Sequence, residues 1–526
     1  MTLHPIAGQL KLYVSFINLY NFIIGYKFGN YMRSDKYFYA GVCVSVSISA
    51  LAQSVFWGGG KSPNSVDDAE NVPSRLDTEP AWVYRMGTHQ YAIPTVDGDK
   101  IFVGTNDGGC RREGYKSNGG SILSCLDKKS GEVVWTFQSP RNFVGNKHPY
   151  YFNKWRSGFI SGPVVVGNRI YIVGSRGDVL CLDRDGQING NDGAFKDEIA
   201  YMELKGDNPS LNEKDGDVIW QFDMLKELDV SPHDSCGSTI LYVDGLLYVN
   251  TSNAIGPGHI PATRPDAPTL CVLDAENGRL LAVDDQKIAG RVLHGSWSSP
   301  CYGVVGGRKL IYFGGGDGYM YAFEALRSGK IKKVQTLKLA WRADCNPPHF
   351  RERNGKKMEY SSWNNRLTTG PSEPIGTPVF LDGKVYIAIG QSPLHGEGEG
   401  CLTCFDGASG EVLWRTEELN RTLATLAISN GIIYVPDMAE KLNAFDLIDG
   451  KKLWSADLGG RVQYANARVA DGKVFVGTER GRFWIFREGR TKEVLCEKKL
   501  LSPPITVVAD NGMLYIPMQN RLSAYE

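Results

Sequence analysis

Histidine, aromatic and arginine side chains recur in the long polar segments of this chain, and such residues could bind an organic ligand or a metal ion. Imidazole is a common zinc ligand, and aromatic rings line many pockets for organic molecules. No histidine pair has the H-x-x-x-H spacing of a helical zinc site, so we predict a ligand-binding face and keep a metal-dependent enzyme as an alternative. The residues of this predicted face are His89, His148, Trp155, Arg156, His233, His294, Trp297 and His349.

A loop rich in Asp, Asn and Gly could hold a calcium ion. Its sequence from Asp183, D-R-D-G-Q-I-N-G-N-D-G, resembles the middle of an EF-hand loop, in which oxygen ligands alternate and a glycine allows the sharp turn. The resemblance is partial, because Cys181 stands at the first ligand position and Asp192 stands where the EF-hand has a bidentate Glu. Asp-Gly and Asn-Gly are also ordinary turn formers, so a loop without an ion is the alternative. The predicted ligands of a structural Ca²⁺ are Asp183, Asp185, Asn189 and Asp192.

Composition and missing motifs argue against several classes of function. Lys and Arg together number 58, as do Asp and Glu, so the formal net charge is zero. A neutral chain argues against nucleic acid or an anionic membrane surface as the partner. No G-x-S-x-G elbow and no P-loop occur, so hydrolase and nucleotide-binding functions have no support.

A repeated unit indicates the elements that position these residues. Residues 402–414 read L-T-C-F-D-G-A-S-G-E-V-L-W, which predicts an apolar strand, a turn closed by glycine and a second strand that ends in Trp414. Near-copies end at Trp135 and Trp454, and a weaker copy ends near Leu281. A unit that recurs in this way predicts an array of one supersecondary structure.

Eight further turns predict hairpins just ahead of these units. Each contains glycine, mostly as Asp-Gly or Asn-Gly, and is followed by an apolar run with an aromatic residue, which is a strong hairpin signal. The glycines of these turns are Gly98, Gly167, Gly245, Gly307, Gly383, Gly431, Gly472 and Gly512. A third strand follows each hairpin and a fourth follows most of them, so the sequence predicts an all-β, eight-bladed β-propeller with four-stranded antiparallel blades.

The two ends of this array are expected to close it into a ring. The last unit ends at Glu526 after three strands, and a lone strand, Ala81 to Met86, precedes the first hairpin. We predict that this N-terminal strand completes the last blade, because closure removes the exposed sheet edges. Tryptophan on an outer strand would fill the gap between blades, and the expected structural docking residues are Trp82, Trp135, Trp220, Trp414 and Trp454. Trp341 also falls on a predicted fourth strand.

Loop lengths predict which face of the propeller binds a ligand. Loops between second and third strands and loops between blades share one face, and here these loops are the long ones. All seven histidines after residue 52 fall in them, including His259 and His395. Cys125, Cys181 and Cys404 precede turn aspartates by two residues, which favours small buried strand residues over redox chemistry.

The first 52 residues are predicted to be processing sequence. Translation is expected to begin at Met32, where a short charged stretch precedes an apolar one, and Ala50-Leu51-Ala52 fits the small-x-small rule for cleavage after Ala52. Residues 53–80 then form an extended lead-in, and residues 81–526 form a single propeller domain. We therefore expect a periplasmic or secreted protein. The sequence contains no uninterrupted apolar run of about 18 residues, so it predicts no transmembrane helix.

The D-x-x-x-G-x-x-x-W turn, the preceding hairpin and the eightfold count resemble the quinoprotein-type propeller repeat over residues 81–526. That resemblance implies either a pyrroloquinoline-quinone (PQQ) alcohol dehydrogenase or a non-catalytic propeller similar to the outer-membrane assembly lipoprotein. The family's dehydrogenases carry a vicinal Cys-Cys pair over the quinone, and this sequence has no two adjacent cysteines, which argues against PQQ as cofactor. We therefore expect an exported, non-catalytic binding or scaffold protein for a protein, peptide or glycan ligand, with a PQQ-dependent dehydrogenase as the alternative.

Overall fold

The computed structural model describes residues 54–55, 62–141, 155–256, 259–327, 329, 331–361, 370–392, 395, 399–463 and 465–526. The predicted signal peptide, its cleavage site and the start at Met32 lie outside these residues, and so does His148.

The described residues form eight blades, each built on four antiparallel strands, which confirms the predicted propeller. We name the strands of each blade a to d in the order in which they pair. Blade 1 consists of Thr95–Asp97, Lys100–Asn106, Ser121–Asp127 and Val133–Ser139, and blade 2 of Val164–Val166, Arg169–Val173, Asp178–Asp183 and Val218–Asp223. Blade 3 consists of Leu241–Val243, Leu246–Asn250, Leu270–Asp274 and Leu280–Val283, and blade 4 of Cys301–Val305, Arg308–Gly314, Tyr319–Glu324 and Leu339–Asp344. Blade 5 consists of Val379–Leu381, Lys384–Ile389, Cys401–Asp406 and Val412–Thr416, and blade 6 of Ala427–Ser429, Ile432–Pro436, Lys441–Asp446 and Lys452–Asp457. Blade 7 consists of Arg468–Ala470, Lys473–Gly477, Arg482–Arg487 and Val494–Lys499, and blade 8 of Val508–Asp510, Met513–Met518, Arg521–Tyr525 and Trp82–Arg85.

Few other elements interrupt the blades. Two short strands, Ser54–Val55 and Gln335–Thr336, extend the sheet of blade 3 on either side. The loops contain the helices Glu198–Tyr201, Met224–Leu228 and Pro348–Arg351, the 3-10 turns Gly186–Asn189 and Ile288–Arg291, and a hairpin of Glu352–Arg353 with Lys356–Lys357. Among the residues described, none of these helices has the length and apolar character needed to cross a membrane.

The N-terminal strand closes the ring, as predicted. Strand d of blade 8 is Trp82–Arg85, and it pairs antiparallel with Arg521–Tyr525, the C-terminal strand of the chain. This strand completes the four-stranded sheet of the last blade and pairs with the edge that the C-terminal strand would otherwise expose.

The a strands face the propeller axis, since those of blades 1 and 2, 3 and 4, and 6 and 7 contact each other. Part of the lead-in runs along these inner strands. Val66 forms a parallel bridge with Val469 of blade 7, and the Asp67 carboxylate pairs with the buried Arg468 guanidinium, whose Nε donates at 2.8 Å. Asp67 also accepts the backbone N–H of Ala509 in blade 8 at 2.9 Å. The lead-in therefore links blades at their inner edges.

The tryptophans of the d strands account for the spacing of the repeat. Trp341 of blade 4 donates its indole N–H to Gly407 O at 2.9 Å, in the c–d turn of blade 5. Gly410, which closes that turn, has a φ of 76°, and a Cβ there would lie 2.5 Å from the Trp341 ring. The recurring spacing of Asp, Gly and Trp thus places the turn glycines Gly131, Gly278, Gly410 and Gly450 against the tryptophan of the preceding blade. Burying one indole covers roughly 150–250 Å², which at about 25 cal/mol/Å² contributes at most about 4–6 kcal/mol.

Six blades carry this tryptophan, and two do not. The six are Trp82, Trp135, Trp220, Trp341, Trp414 and Trp454. In blades 3 and 7 the position is taken by Ala282 and Cys496. Opposite three of the tryptophans lie Cys125, Cys181 and Cys404, which are buried as expected. All ten described cysteines are free thiols.

Candidate functional site

The described histidines all lie on one face of the propeller. Because the strands alternate in direction, the a–b and c–d turns lie at one end of the strands, and the b–c and blade-to-blade loops lie at the other. The histidines in blade-to-blade loops are His89, His233, His294 and His349, and those in b–c loops are His259 and His395. We call this end of the propeller the histidine face.

A cavity of about 410 Å³ opens on the histidine face at the propeller axis. Residues just ahead of the a strands line it, for example Thr239 before blade 3, Ser299 before blade 4 and Thr377 before blade 5. We call this cavity the axial funnel. Because its wall is built from the rigid start of the blades, its shape is fixed largely by the fold.

Three aromatic side chains, Tyr91, Trp155 and Trp297, project around the axial funnel. Trp155 is 51% exposed, and its indole N–H donates to Asp234 Oδ1 at 3.2 Å. Among the described residues that line the funnel, only Asp234 and His89 carry an acidic or basic side chain. The funnel therefore presents aromatic and neutral polar surface.

Beside the funnel, four histidines form a compact group, the histidine cluster: His233, His259, His294 and His395. The ring centroids of His294 and His395 are 4.3 Å apart, and those of His294 and His233 are 4.7 Å apart. His259 completes the group, with its Nε2 atom 3.1 Å from Nε2 of His294. One ring nitrogen from each of His233, His259 and His294 lies within 4.8 Å of the others.

Hydrogen bonds fix the tautomer of two of these rings. His233 Nδ1 lies 3.2 Å from Ile255 O, and His395 Nδ1 lies 2.8 Å from Ser361 O. A carbonyl oxygen only accepts, so Nδ1 is the donor in each ring and Nε2 carries the lone pair. Such an Nδ1–H to carbonyl bond is also the arrangement that orients metal-binding histidines.

Burial lowers the pKa of every histidine in the cluster. Burial, reinforced by the neighbouring His259, lowers the pKa of His233 to about 4. Burial also lowers the pKa of His395 to about 4 and that of His294 well below its usual value. For His259 the pKa shift is again downward because of burial. Neutral imidazole is the form that coordinates metal ions.

A buried carboxyl, phenol and guanidinium surround the cluster. Tyr360 stacks near His294 with ring centroids 6.0 Å apart, and its hydroxyl donates to Glu373 Oε1 at 3.1 Å. Burial raises the pKa of Glu373 to about 8. Arg421 is fully buried, burial lowers its pKa to about 10, and its guanidinium has no hydrogen-bond partner among the described residues.

Trp297 joins the axial funnel to the histidine cluster. Its ring lines the funnel and packs edge-on against His294, with centroids 5.3 Å apart. Its indole N–H also donates to His233 O at 3.4 Å. A change in the cluster would therefore reach the funnel wall through one side chain.

The structure separates the residues of the predicted ligand-binding face into groups. His89, Trp155 and Trp297 line the funnel, and His233 and His294 belong to the histidine cluster. His349 is apart from both, on the helix Pro348–Arg351, where its Nε2 atom lies 2.9 Å from Glu417 Oε2. The Arg156 backbone carbonyl accepts from Asn106 Nδ2 at 3.2 Å. His148 lies outside the described residues.

Three residues near the histidine cluster were not identified from the sequence: Tyr360, Glu373 and Arg421. Each is an ordinary residue type in a long segment without a motif, and only the folded arrangement brings it to the histidines. His259 and His395 were placed on the correct side of the propeller by loop assignment, although their spacing gave no sign of a cluster.

On the opposite face, the predicted calcium loop contributes to an acidic cluster in which Asp183 and Asp217 are buried and Asp192 is exposed. Carboxylate oxygens of Asp183, Asp192 and Asp217 lie within 4.8 Å of one another. Burial, followed by the nearby Glu198 and Asp183, raises the pKa of Asp217 to about 7. Glu198 is itself fully buried and accepts from Asn191 Nδ2 at 3.1 Å. Carboxylate oxygens of this kind are the ligands that Ca²⁺ prefers.

Two of the predicted calcium ligands behave differently from Asp183 and Asp192. The Asp185 carboxylate pairs with Lys100 and lies 3.5 Å from Arg184 Nη1, so it does not face the acidic cluster. Burial raises the pKa of Asp183, and a hydrogen bond from the Asn189 side chain partly opposes this rise. Asp217 was not predicted as a ligand from the sequence. It lies outside the loop and directly precedes the strand Val218–Asp223.

The sheet order defines this chain as an eight-bladed β-propeller. More specifically, residues 327–488 and 361–526 match the family model described as outer membrane protein assembly factor BamB. The matched part runs from the last strand of blade 4 to the end of blade 8. No curated protein matches the chain in sequence.

Solved structures of other propellers share the fold. A europium-containing methanol dehydrogenase has a TM-score of 0.52 at 13% identity, covering 89% of this chain and 90% of that chain. Quinohemoprotein alcohol dehydrogenase ADHIIG from Pseudomonas putida HK5 has a TM-score of 0.52 at 12% identity, covering 88% and 79%. BamB from Moraxella catarrhalis has a TM-score of 0.49 at 13% identity, covering 85% and 97%. At these identities the likeness concerns the fold alone.

The residues on the histidine face do not fit PQQ. PQQ is a planar tricarboxylate, and no Arg or Lys is present among the described residues that line the axial funnel. Asp317, a conceivable partner for a cofactor-bound cation, is already bonded to Arg291 at 3.1 Å and to the Tyr321 hydroxyl at 2.6 Å. We therefore derive no reaction step through PQQ.

Proposed function

We propose that this protein is a non-catalytic binding propeller whose axial funnel holds a neutral segment of a peptide or glycan. The observation that carries the proposal is the funnel itself: about 410 Å³ of space walled by aromatic and neutral polar groups. Aromatic faces stack on sugar rings and on peptide side chains, and neutral hydroxyl and amide groups orient such ligands by hydrogen bonds. A strongly charged ligand would find few counter-charges there.

The proposal includes export to the periplasm or to the outside of the cell. The predicted signal peptide supports this location, and so does the family description, since residues 327–526 match a model for an outer membrane protein assembly factor. A partner protein that inserts a peptide segment into the funnel would suit such an assembly role. N-terminal sequencing of protein purified from cells tests the location, because export by the predicted route leaves Gln53 as the first residue.

Binding to glycan and peptide arrays tests the proposed function. We expect the wild-type protein to bind a subset of neutral ligands, and Trp155→Ala and Tyr91→Ala to bind them at least tenfold more weakly, as is typical for aromatic anchors. Ile448→Ala is the matched control, because Ile448 is 79% exposed and lies in a c–d turn on the opposite face. Ligands that bind Trp155→Ala and Ile448→Ala equally well would refute a role for the funnel.

The alternative function, a quinone-dependent dehydrogenase, has its own test. Its support is the shared fold with two dehydrogenases at a TM-score of 0.52. Incubation of the purified protein with PQQ and Ca²⁺, followed by gel filtration, would give a co-eluting quinone chromophore if this alternative is correct. We expect no chromophore to co-elute, because no Arg or Lys that could pair with the three carboxylates lies among the described residues of the funnel wall.

A further inference from the structure

The histidine cluster brings together side chains from distant parts of the chain. His233 and His294 lie in the loops before blades 3 and 4, His259 lies in the b–c loop of blade 3, and His395 lies in the b–c loop of blade 5. Three of these imidazoles, those of His233, His294 and His395, are buried, and burying an imidazole is costly because each ring has two polar nitrogens. A metal ion is a group that the lone pairs of several imidazole rings can bind together.

The hydrogen bonds around the cluster leave it rich in lone pairs. His233 and His395 donate their single N–H groups outward, to Ile255 O and Ser361 O. Their Nε2 atoms therefore offer lone pairs on the side away from those carbonyls. His294 Nδ1 is buried and has no hydrogen-bond partner among the described residues.

We propose that His233, His259 and His294, with His395 packed beside them, form a site for one divalent transition-metal ion of borderline softness, of the Zn²⁺ or Cu²⁺ type. Imidazole ligands suit this class of metal, whereas Mg²⁺ and Ca²⁺ prefer oxygen ligands. The 3.1 Å separation of the His259 and His294 Nε2 atoms is close to the edge of about 3.3 Å that a tetrahedral site with metal–nitrogen bonds of about 2.0–2.1 Å requires. His233 reaches the same region, since a ring nitrogen of each of the three lies within 4.8 Å of the others.

The surroundings also suit a cation. Glu373, fully buried, holds the Tyr360 hydroxyl at 3.1 Å, and Tyr360 in turn packs near His294 and His395. Glu373 also accepts hydrogen bonds from the backbone of His294 and Gly295, so this carboxyl group adjoins the cluster. Trp297 covers one side of the cluster, which keeps the ion apart from the funnel opening.

The consequence is structural as well as chemical. One ion would tie together loops of blades 2 to 5 on the histidine face and hold Trp297 in place on the funnel wall. The proposal does not depend on what the axial funnel binds, because it rests only on the geometry of the four histidines.

Metal titration of the full-length protein tests this site. Protein stripped with a chelator is titrated with Co²⁺, a spectroscopic substitute for Zn²⁺, and bound metal is then counted by elemental analysis. We expect about one equivalent, a tetrahedral visible absorption band and a rise in melting temperature. Binding of Co²⁺ and of Zn²⁺ at no more than the level of a non-specific control protein would overturn the proposal.

Variants separate this site from others on the surface. His259→Ala removes an exposed ligand and is expected to fold normally, while weakening metal binding at least tenfold; His294→Gln should abolish it. His349→Ala is the matched control, since the His349 side chain is 44% exposed and pairs with Glu417 away from the cluster. If His294→Gln fails to fold, His259→Ala alone decides. Equal binding by wild type, His259→Ala and His349→Ala would overturn the assignment.

Discussion

The indole of Trp82 lies against the ring of Tyr515, with centroids 5.8 Å apart and the planes tilted by 37°. Residues from opposite ends of the chain thus share one core, together with Leu522 and Leu126. The Trp82 indole N–H also donates to Lys128 O at 3.2 Å, so the same side chain joins blade 8 to blade 1.

Trp82→Ala should therefore destabilise the whole propeller. Truncating a buried tryptophan typically costs about 3–5 kcal/mol, and here it also weakens ring closure. The free energy of unfolding in urea measures the loss. Val83→Ala is the matched control, because Val83 lies on the same strand and is 44% exposed; we expect a change within about 1 kcal/mol. Similar losses for both variants would contradict closure through Trp82.

Asp67→Ala should be strongly destabilising, because it leaves the Arg468 guanidinium buried and without its partner. Removing one member of a buried ion pair costs about 3–5 kcal/mol. Glu493→Ala breaks an exposed pair with Arg487 and should cost no more than about 1 kcal/mol. Urea unfolding of the two variants compares them directly, and equal costs would show that the lead-in is not held at the axis.

Glu373 should make the stability of the metal-free protein depend on pH. Its pKa in the folded state is about 8, above the ordinary value of 4.5, so between these values the folded state holds a proton that the unfolded state has lost. The contribution of this group to stability therefore falls as pH rises from about 4.5 to about 8, and it changes little above that. Glu373→Gln stays neutral, so its melting temperature should fall less than that of the wild type over the same window. Parallel pH profiles for both proteins would contradict this prediction.

Calcium should stabilise the acidic cluster on the opposite face. Ca²⁺ at 100 times its Kd would add about 2.7 kcal/mol if it binds only the folded state, and chelation would remove this. Asp217→Asn should abolish the response of the melting temperature to Ca²⁺, because Asp217 lies within the cluster. Asp185→Asn should retain it, because the Asp185 carboxylate faces Lys100. A melting temperature of the chelated wild type that does not respond to Ca²⁺ would dismiss the site.

The fold was predictable because its signals are local. Asp-Gly and Asn-Gly turns such as Asp382-Gly383 require positive φ, and the structure has φ of 48° and 77° at these two residues. The tryptophan spacing was equally local, since each turn glycine and the next outer strand belong to one unit. The number of these units predicts eight blades, and the single strand at Trp82 predicts that the N-terminal strand completes the last blade.

The candidate sites were less predictable because they depend on contacts between distant segments. His259 and His395 meet through loops of blades 3 and 5, and no spacing in the sequence encodes that meeting. Likewise, Asp217 joins Asp192 across 25 residues, through a hydrogen bond from the Asp192 backbone N–H to Asp217 Oδ2. Loop assignment could place such residues on the correct face, but only the ring geometry determines which of them touch.

The lead-in also alters how the ring can come apart. In most repeat proteins each module touches only its neighbours, so terminal modules can fray one at a time. Here Ser54–Val55 pairs with blade 3, and Asp67 bonds to blades 7 and 8. These contacts couple blades that are not adjacent. We therefore expect the propeller to unfold in one cooperative transition.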